Sequence, residues 1–398
     1  MKSSNKGLRC AAALGLCMLS ASTRAQEAVT PPPAEEAAPL PAGLAPFEVG
    51  VPLPAADTAF APPTGAVFTP AEYARNKGLL LRWTSGFENE LSDITVAIST
   101  LDPSAIVTIV VSGSSQQNSA TSTLTSAGAD LSQVQFLVAA SNSVWMRDYG
   151  PRFILEDKQL AIVDHVYNRP RPQDDTIPGA VATAWALAKY DIPLTHGGGN
   201  FHLFQNGEAF MTELILDENP GLSEATILND YALYQNLDVT IFPGFPEQFD
   251  STRHIDMWML PVRDKVVIIG EYPVGAGAPR TITEDAVATL EGRGYTVFRT
   301  PGWGGNFQTH FTYTNAVVFN RLVLVPQYSG HSAENAQAIA VYQQAFPGRQ
   351  ILGIDGTDIV GLAGVFHCIV MHVPDPLWIF EDDFETADTT VWSSVTPP

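Results

Sequence analysis

The chain has 398 residues, with 21 basic and 42 acidic side chains and a formal net charge of −21. This acidic excess disfavours nucleic acids and anionic membranes as partners, and it is compatible with cationic small molecules or peptides. Beyond the N-terminus, no apolar run reaches the roughly 18 residues that a transmembrane helix needs, so we predict no membrane span.

The first 25 residues resemble a secretory signal peptide. Lys2, Lys6 and Arg9 give a positively charged start, and the apolar run at 11–19 is too short to cross a bilayer. Cleavage is expected after residue 25. We therefore predict an exported protein that is secreted, periplasmic or held at the cell surface.

Three zones follow the predicted signal peptide. Residues 26–70 are rich in proline, alanine and glutamate, which is typical of an extended and mostly disordered leader. Residues 71–376 alternate apolar β-rich runs with helical stretches, and this alternation predicts an α/β domain. The tail, residues 377–398, is acidic and aromatic. The predicted strands of the core include 79–83, 106–111, 134–138, 161–166, 266–269 and 322–325, and the predicted helices include 180–189 and 333–345.

Five short polar segments recur along the core at similar intervals. Counted from Asp148, Gly198, His254, Asn315 and Cys368, the gaps are 50, 56, 61 and 53 residues. This spacing predicts a repeated unit of strands plus a helix, arranged radially so that each repeat delivers one polar group to a common centre. The glycines of the second segment are expected to form a turn with positive φ angles.

Cys368 is the only cysteine outside the predicted signal peptide, which contains Cys10 and Cys17. An exported protein with one thiol cannot form an internal disulfide, so Cys368 is either an inert core residue or a nucleophile. Residues 364–370 are typical of a glycine turn that leads into an apolar strand, and a thiol at such a junction favours the nucleophile. On a strand, His367 would point away from Cys368, so we interpret it as structural.

The side chains of these segments suit chemistry on a guanidinium group. Two carboxylates can hold this planar cation through paired charge-assisted hydrogen bonds, and a thiolate can attack its central carbon while a histidine transfers protons. His254 and Asp256 are two residues apart, so on a strand they would face the same side, as a shared pocket requires. Taken alone, Asp148 would more readily pair with Arg147 or Arg152 at a turn, and only the WxRDxGP context favours a role in binding.

In this order, the segments resemble the family of agmatine deiminases and bacterial peptidylarginine deiminases, which modify guanidino groups. The resemblance covers about residues 78–374 and implies a five-bladed α/β propeller, or pentein, with pseudo-fivefold symmetry. Residues 71–376 would form its deiminase catalytic domain. The resemblance depends on WxRDxGP at 145–151, GGN at 198–200, HxD at 254–256, Tyr-x-Asn at 313–315, and Phe-Pro-Gly-Arg at 346–349 leading to Gly-x-x-His-Cys at 364–368.

The resemblance also implies roles for single residues. Cys368 would be the nucleophile, Asp148 and Asp256 the guanidinium-binding carboxylates, His254 the acid/base, and Asn315 a support for the cysteine end of the site. The chemistry agrees, because ammonia must be protonated to leave and the same histidine can then activate the water that hydrolyses a thiouronium intermediate. No step needs a metal or another cofactor, so we predict none.

The substrate is less closely specified by the sequence. The resemblance implies that Trp145 lines the aliphatic stem of the substrate. Many agmatine deiminases carry an acidic residue where this chain has Gly197, whereas Arg169 and Arg171 resemble the segment with which exported bacterial peptidylarginine deiminases bind the carboxylate of a C-terminal arginine. Agmatine has no carboxylate for such a clamp to bind. Alternatively, both arginines are solvated charges on a proline-stiffened loop.

From these observations we predict an exported peptidylarginine deiminase that converts arginine, chiefly at the C-terminal end of peptides, to citrulline and ammonia. One alternative is the same chemistry on agmatine, giving N-carbamoylputrescine, or on free arginine. Another is a non-catalytic relative that binds guanidino ligands. The expected partners are peptides or proteins with arginine, or a small guanidino compound.

Overall fold

The computed structural model of this protein describes residues 39–56, 61–306 and 309–376. The predicted signal peptide, the first part of the leader and the C-terminal tail lie outside the described residues. The described chain is a mixed α/β fold in which apolar, β-branched runs form strands and alternate with helices. None of its described helices has the length and apolar character needed to cross a membrane.

Helices and strands alternate along the whole described core. The helices are α1 (Glu88–Leu101), α2 (Ser114–Ala127), α3 (Met146–Tyr149), α4 (Ile177–Trp185), α5 (Leu214–Glu218), α6 (Glu224–Gln235), α7 (Ala278–Gly292) and α8 (Ser332–Ala345). The strands are β1 (Val67–Phe68), β2 (Asn76–Arg82), β3 (Ile106–Val111), β4 (Val134–Val138), β5 (Arg152–Glu156), β6 (Gln159–Tyr167), β7 (Ala188–His196), β8 (His202–Leu203), β9 (Glu208–Thr212), β10 (Asp238–Phe242), β11 (Met259–Arg263), β12 (Val266–Glu271), β13 (Thr296–Asn306), β14 (Thr309–Thr312), β15 (Val317–Phe319), β16 (Leu322–Gln327), β17 (Gln350–Asp355) and β18 (Val370–Pro374).

The described strands form five sheets built on one repeated unit. In each unit an antiparallel pair continues through a helix into a strand that is parallel to the second member of the pair; for example, β5 and β6 are antiparallel, and α4 leads to β7, which is parallel to β6. The second strand of each antiparallel pair is hydrogen-bonded to a neighbour along both edges and so lies inside its sheet, which agrees with its apolar sequence. The strand orders are β1-β5-β6-β7, β8-β9-β10, β11-β12-β13-β14, β15-β16-β17 and β18-β2-β3-β4.

The five polar segments occupy the same place in the repeated unit. Each lies in the short turn that immediately precedes the first strand of an antiparallel pair, where the backbone leaves the previous sheet. The segments are α3 before β5, the 3-10 turn Gly198–Asn200 before β8, the 3-10 turn Ile255–Met257 before β11, Asn315 before β15, and the 3-10 turn His367–Ile369 before β18. His254 and Asp256 therefore lie at a turn and not on the strand that we predicted.

Most predicted strands lie close to their observed bounds, and residues 106–111 and 134–138 coincide with β3 and β4. The predicted helix at 180–189 is wrong at its C-terminal end. Helix α4 ends at Trp185, Ala186 adopts a left-handed conformation, and β7 starts at Ala188. Its alanines favour a helix by propensity, but pairing of Ala188 and Lys189 with β6 overrides this local preference.

The end of the leader differs from the disorder that its composition predicts. Residues 39–51 lie against the core, with Ala42 and Ala45 buried and the side chain of Glu48 only 4% exposed. Further along, Val67–Phe68 forms the edge strand β1 against β5. Prolines limit the conformational entropy that such a segment loses on ordering, and polar groups of the core bind its backbone carbonyls, as described below.

Candidate active site

Cys368 lies in the 3-10 turn that precedes β18 and is 1% exposed. The amide of Asn315 holds this turn from two sides. Its oxygen accepts hydrogen bonds from the backbone N–H groups of Val365 (3.1 Å) and Cys368 (3.3 Å), and its nitrogen donates to Cys368 Sγ at 3.1 Å. The thiol is therefore fixed where a turn meets a rigid strand, and Asn315 lies at the cysteine end as the resemblance implies.

Asp256 is bound to His367 through one of its two carboxylate oxygens. Oδ2 of Asp256 lies 2.8 Å from His367 Nδ1 and 3.5 Å from Cys368 Sγ. The other ring nitrogen of His367, Nε2, lies 2.8 Å from Oε2 of Glu72. Because both ring nitrogens face carboxylates, both act as donors when the imidazole is doubly protonated. Burial and Arg147 lower the pKa of His367, but Glu72 and Asp256 outweigh them and raise it.

His367 is thus structural in a more specific sense than we predicted, because it orients Asp256 and does not merely pack in the core. Sequence reasoning missed Glu72 altogether. This residue precedes the first polar segment by more than 70 positions and belongs to no motif, so only the folded chain shows its contact with His367. Glu72 also accepts a hydrogen bond from Arg147, and no guanidinium nitrogen of Arg152 has a hydrogen-bond partner among the described residues, so neither arginine pairs with Asp148.

Asp148 and His254 meet at Gly199. The backbone N–H of Gly199 donates to Oδ1 of Asp148 at 3.0 Å, and Nδ1 of His254 lies 3.5 Å from the same oxygen. A Cβ on Gly199 would lie 2.5 Å from His254 Nδ1, 2.8 Å from Asp148 Oδ1 and 3.0 Å from Asp256 Oδ2. The expected positive φ is wrong, since none of Gly197, Gly198 and Gly199 has one. This glycine is required by close approach and not by backbone conformation.

Several buried polar atoms of these side chains have no hydrogen-bond partner among the described residues. They are Oδ2 of Asp148, Oδ1 of Asp256 and both ring nitrogens of His254, and none of the three side chains is more than 1% exposed. Unpaired buried acceptors are costly, so the arrangement favours a ligand that supplies donors and positive charge. A planar guanidinium has both properties and can bridge two carboxylates.

The environment shifts the pKa values of the reacting groups in different directions. Burial, together with the charges of Asp256 and Asp148, raises the pKa of the Cys368 thiol well above its ordinary value. Burial also raises the pKa of Asp148, with the neighbouring Asp256 charge adding to it. Asp256 would be raised by burial too, but its hydrogen bond to His367 holds its pKa below the ordinary value. A cation bound between the carboxylates would offset their charges and favour the thiolate.

Trp145 lies beside the cysteine turn. A Cβ on Gly364 would lie 2.5 Å from the Trp145 ring and 3.2 Å from the Cβ of Cys368, so the indole and the nucleophile flank the same glycine. The indole Nε1 donates to the backbone oxygen of Leu40 in the leader at 2.8 Å. Trp145 therefore lies next to the Cys368 turn, and the leader contacts it directly.

Arg169 and Arg171, hereafter the arginine pair, are buried at 7% and 2% exposure, so the solvated alternative is wrong. Both bind the leader. Arg171 forms two hydrogen bonds with the carboxylate of Glu48, from Nε to Oε1 (2.8 Å) and from Nη2 to Oε2 (2.9 Å). Arg169 Nε donates to the backbone oxygen of Ala42 at 3.1 Å. Arg171 thus binds a carboxylate of this chain, whereas Arg169 binds a backbone oxygen.

We expect the Gly199→Ala variant to lose about a hundredfold or more in kcat/KM. Its methyl group would displace His254 or a carboxylate, and a misplacement on the order of 1 Å at reacting groups has an effect of this size. Gly179→Ala is the matched control, because a Cβ there meets nothing within 4 Å. Steady-state kinetics and thermal unfolding of both variants test the expectation. Full activity of Gly199→Ala would show that the close approach is unimportant.

Comparison with known proteins gives one family and a consistent fold. A family model described as Porphyromonas-type peptidyl-arginine deiminase matches residues 68–374, more than three quarters of the chain. The agmatine deiminase of Pseudomonas aeruginosa is 24% identical to this chain over 297 residues, which cover 62% of this chain and 78% of that protein.

Two solved structures share the fold. The agmatine deiminase of Enterococcus faecalis superposes with a TM-score of 0.67 at 20% identity, covering 81% of this chain and 100% of that chain. The agmatine deiminase of C. jejuni gives a TM-score of 0.66 at 16% identity and covers 78% of this chain and 96% of that one. At these identities the likeness concerns the mixed α/β fold alone.

The family match includes every polar segment from Asp148 to Cys368 and the strands β2 and β18 that join the two ends of the core. It also includes the arginine pair and Glu72, but it begins after the part of the leader that contains Glu48. The chain belongs to the Porphyromonas-type peptidyl-arginine deiminase family, a family of guanidino-group deiminases that hydrolyse amidine C–N bonds.

Proposed function

We propose that this protein deiminates a small guanidino compound that lacks a carboxylate, such as agmatine, through a covalent intermediate on Cys368. The peptidyl-arginine substrate that we predicted from the sequence has less support. The curated relative and the two solved structures described above are named agmatine deiminases. The observation on which the proposal depends is that the arginine pair already binds Glu48 and backbone oxygens of the leader.

The proposed reaction begins with the guanidinium held between Asp148 and Asp256. Sγ of Cys368, deprotonated as the bound cation favours the thiolate, forms a bond to the central carbon and gives a tetrahedral adduct. His254 protonates one amino group, the C–N bond breaks, and ammonia leaves a thiouronium on sulfur. His254 then takes a proton from water, whose oxygen attacks the same carbon. Breakage of the C–S bond then returns the thiolate, and loss of the remaining hydroxyl proton to solvent gives the neutral ureido product.

The two carboxylates are held by different partners, but each keeps one oxygen for the substrate. Asp256, kept ionised by His367, has one oxygen committed to that imidazolium and one free for the substrate. Asp148 has one oxygen fixed by the Gly199 N–H and one free. Each therefore offers one unpartnered oxygen, which suits the two N–H edges of one guanidinium.

An assay of ammonia and ureido products with four substrates tests the choice of substrate. Agmatine should give the highest kcat/KM, with free arginine and a peptide ending in arginine at least about tenfold lower, since losing one charge-assisted contact has an effect of about this size. The same peptide amidated at its C-terminus serves as control. Preference of the wild-type enzyme for the C-terminal acid over agmatine would contradict the proposal and favour peptidyl arginine.

Peptidyl arginine stays the second candidate because of one specific feature. The arginine pair is buried next to the site and binds a carboxylate in the manner that a substrate terminus would require. If Glu48 moves, the same guanidinium groups become available to a substrate. Free arginine belongs to this candidate as well, because it also carries a carboxylate.

Two further expectations, the propeller arrangement and export, also remain proposals. We infer a radial, propeller-like arrangement of the five sheets from their shared unit and from the pairing of the last strand with β2. An experimental structure with five sheets in any non-radial arrangement would contradict it. Export is inferred from the sequence of residues 1–25 alone, and fractionation of the native host would test it.

A further inference from the structure

We propose that Glu48 determines substrate specificity by occupying, from within the chain, the carboxylate-binding position of the arginine pair. This inference rests on the proposed function and extends it. The leader segment 39–50 would be an exchangeable occupant of this position. While it is bound, the arginine pair is not available to the carboxylate of a substrate. Once it leaves, the pair can bind substrates that carry a carboxylate.

The first argument is the geometry of the Glu48–Arg171 pair. Its two hydrogen bonds, at 2.8 and 2.9 Å, join both carboxylate oxygens to Nε and Nη2, which is the bidentate arrangement that a guanidinium makes with any carboxylate. The side chains are 1% and 4% exposed for Arg171 and Glu48. The position therefore binds a carboxylate in a dehydrated setting, where the contact is stronger than on the surface.

The second argument is that backbone carbonyl groups of the leader also bind the arginine pair. Nη2 of Arg171 donates to the backbone oxygens of Pro41 (2.8 Å) and Gly43 (2.9 Å), and Nε of Arg169 donates to that of Ala42 (3.1 Å). Three consecutive carbonyl groups and one carboxylate are thus arranged around two guanidinium groups. A substrate carboxylate could reach them only after this segment is displaced.

The third argument is that the same short segment reaches the nucleophile. The oxygen of Leu40 accepts from Trp145, which flanks the Cys368 turn, and the oxygen of Gly43 accepts from Arg171. These two leader residues are separated by at most about 10 Å of extended chain. The leader therefore spans the distance between the candidate active site and the arginine pair. An arginine substrate would have to span the same distance, with its guanidinium at Cys368 and its carboxylate at the pair.

The fourth argument is that little apolar burial holds the segment. Its larger apolar side chains are exposed, with Leu44 at 39%, Phe47 at 64% and Val49 at 69%. Among its apolar side chains, only the small ones of Ala42 and Ala45 are buried. A segment held chiefly by polar contacts opens at a lower free energy than the core and can exchange with a ligand that offers the same groups.

The test uses the full chain and the Glu48→Ala variant. Removing this carboxylate should raise kcat/KM for a peptide ending in arginine by about ten- to a hundredfold, whereas the amidated peptide and agmatine should change by less than about threefold. Exposed Glu247 changed to alanine is the matched control and should alter nothing. Adding Arg171→Ala to Glu48→Ala should abolish the gain, so that the ratio of kcat/KM for the acid peptide to that for the amide returns to its wild-type value.

Equal changes for acid, amide and agmatine would show that Glu48 is only structural and would overturn the proposal, as would no change in any of them. If the variant is too unstable for kinetics, thermal unfolding decides instead. Propionate, compared with chloride at equal ionic strength, should raise the Tm of Glu48→Ala and not that of wild type. No such difference would overturn the inference.

The outcomes separate this inference from the proposed function. A wild-type enzyme that prefers acid peptides to agmatine would refute the small-substrate proposal but would leave the effect of Glu48→Ala on the acid-to-amide ratio to be measured. Conversely, agmatine preference with an unchanged ratio in Glu48→Ala would keep the proposed function and reject Glu48 as its cause. The propionate measurement does not depend on turnover at all.

Discussion

We expect the Cys368→Ala variant to lose about a thousandfold or more in kcat, because the covalent route needs a sulfur atom at this position. The thiol lies 3.5 Å from Asp256 and 3.1 Å from the Asn315 amide, and Cys368 is the only free cysteine among the described residues. Steady-state ammonia release with agmatine gives the measurement. Retention of a tenth of wild-type kcat would exclude Cys368 as the nucleophile.

Two controls separate lost chemistry from lost structure. Thermal unfolding of Cys368→Ala should stay close to wild type, because alanine keeps the 3-10 turn that Asn315 binds through the backbone. Calorimetry should show that the variant still binds agmatine, since both carboxylates remain. A wild-type protein that binds agmatine without turnover would instead favour the non-catalytic alternative.

The second large effect is expected at the carboxylates. Asp148→Asn and Asp256→Asn should each lower kcat/KM about a hundredfold or more, because an amide removes one charge and turns a donor toward the guanidinium. Asp256→Asn should also destabilise the fold, since it withdraws one of the two anions that hold the buried His367 imidazolium. Exposed Asp93→Asn is the control. Activity within about threefold of wild type in either site variant would refute guanidinium binding there.

The pH profile distinguishes the two carboxylates. Burial and the Asp256 charge raise the pKa of Asp148, whereas His367 keeps that of Asp256 low. As the pH falls, Asp148 is therefore protonated first, and kcat/KM should decline through its pKa. In Asp148→Asn this acid limb should disappear. An unchanged acid limb in that variant would assign it to another group.

Motifs predicted that five polar segments bring their side chains together, because each segment occupies the same turn of the repeated unit. Asp148, His254, Asp256, Asn315 and Cys368 all lie near one another in the fold, as their spacing predicted. What the motifs did not predict was their local conformation. His254 and Asp256 lie at a 3-10 turn, and the two residues converge through tertiary contacts instead of through strand alternation.

Contacts between distant residues account for what sequence reasoning missed. Glu72 meets His367 and Glu48 meets Arg171, and neither acidic residue stands in a pattern that differs from ordinary surface glutamate. The leader in particular has a composition that predicts disorder, because composition describes how little apolar surface a segment can bury. It does not describe buried arginines elsewhere that need carbonyl and carboxylate partners. Binding to these arginines orders residues 39–51.

The pairing of β18 with β2 has a consequence for the synthesis of the protein. Val370 pairs with Leu81, so β18, which follows Cys368, is hydrogen-bonded to β2, one of the first strands to be synthesised. A nascent chain on the ribosome can form the earlier sheets, but it has neither the nucleophile nor the strand beside it until almost the entire core has emerged. Contacts between such distant residues form slowly. Cys368 is thus the last residue of the candidate site to be synthesised, and a chain that ends before it lacks the proposed nucleophile.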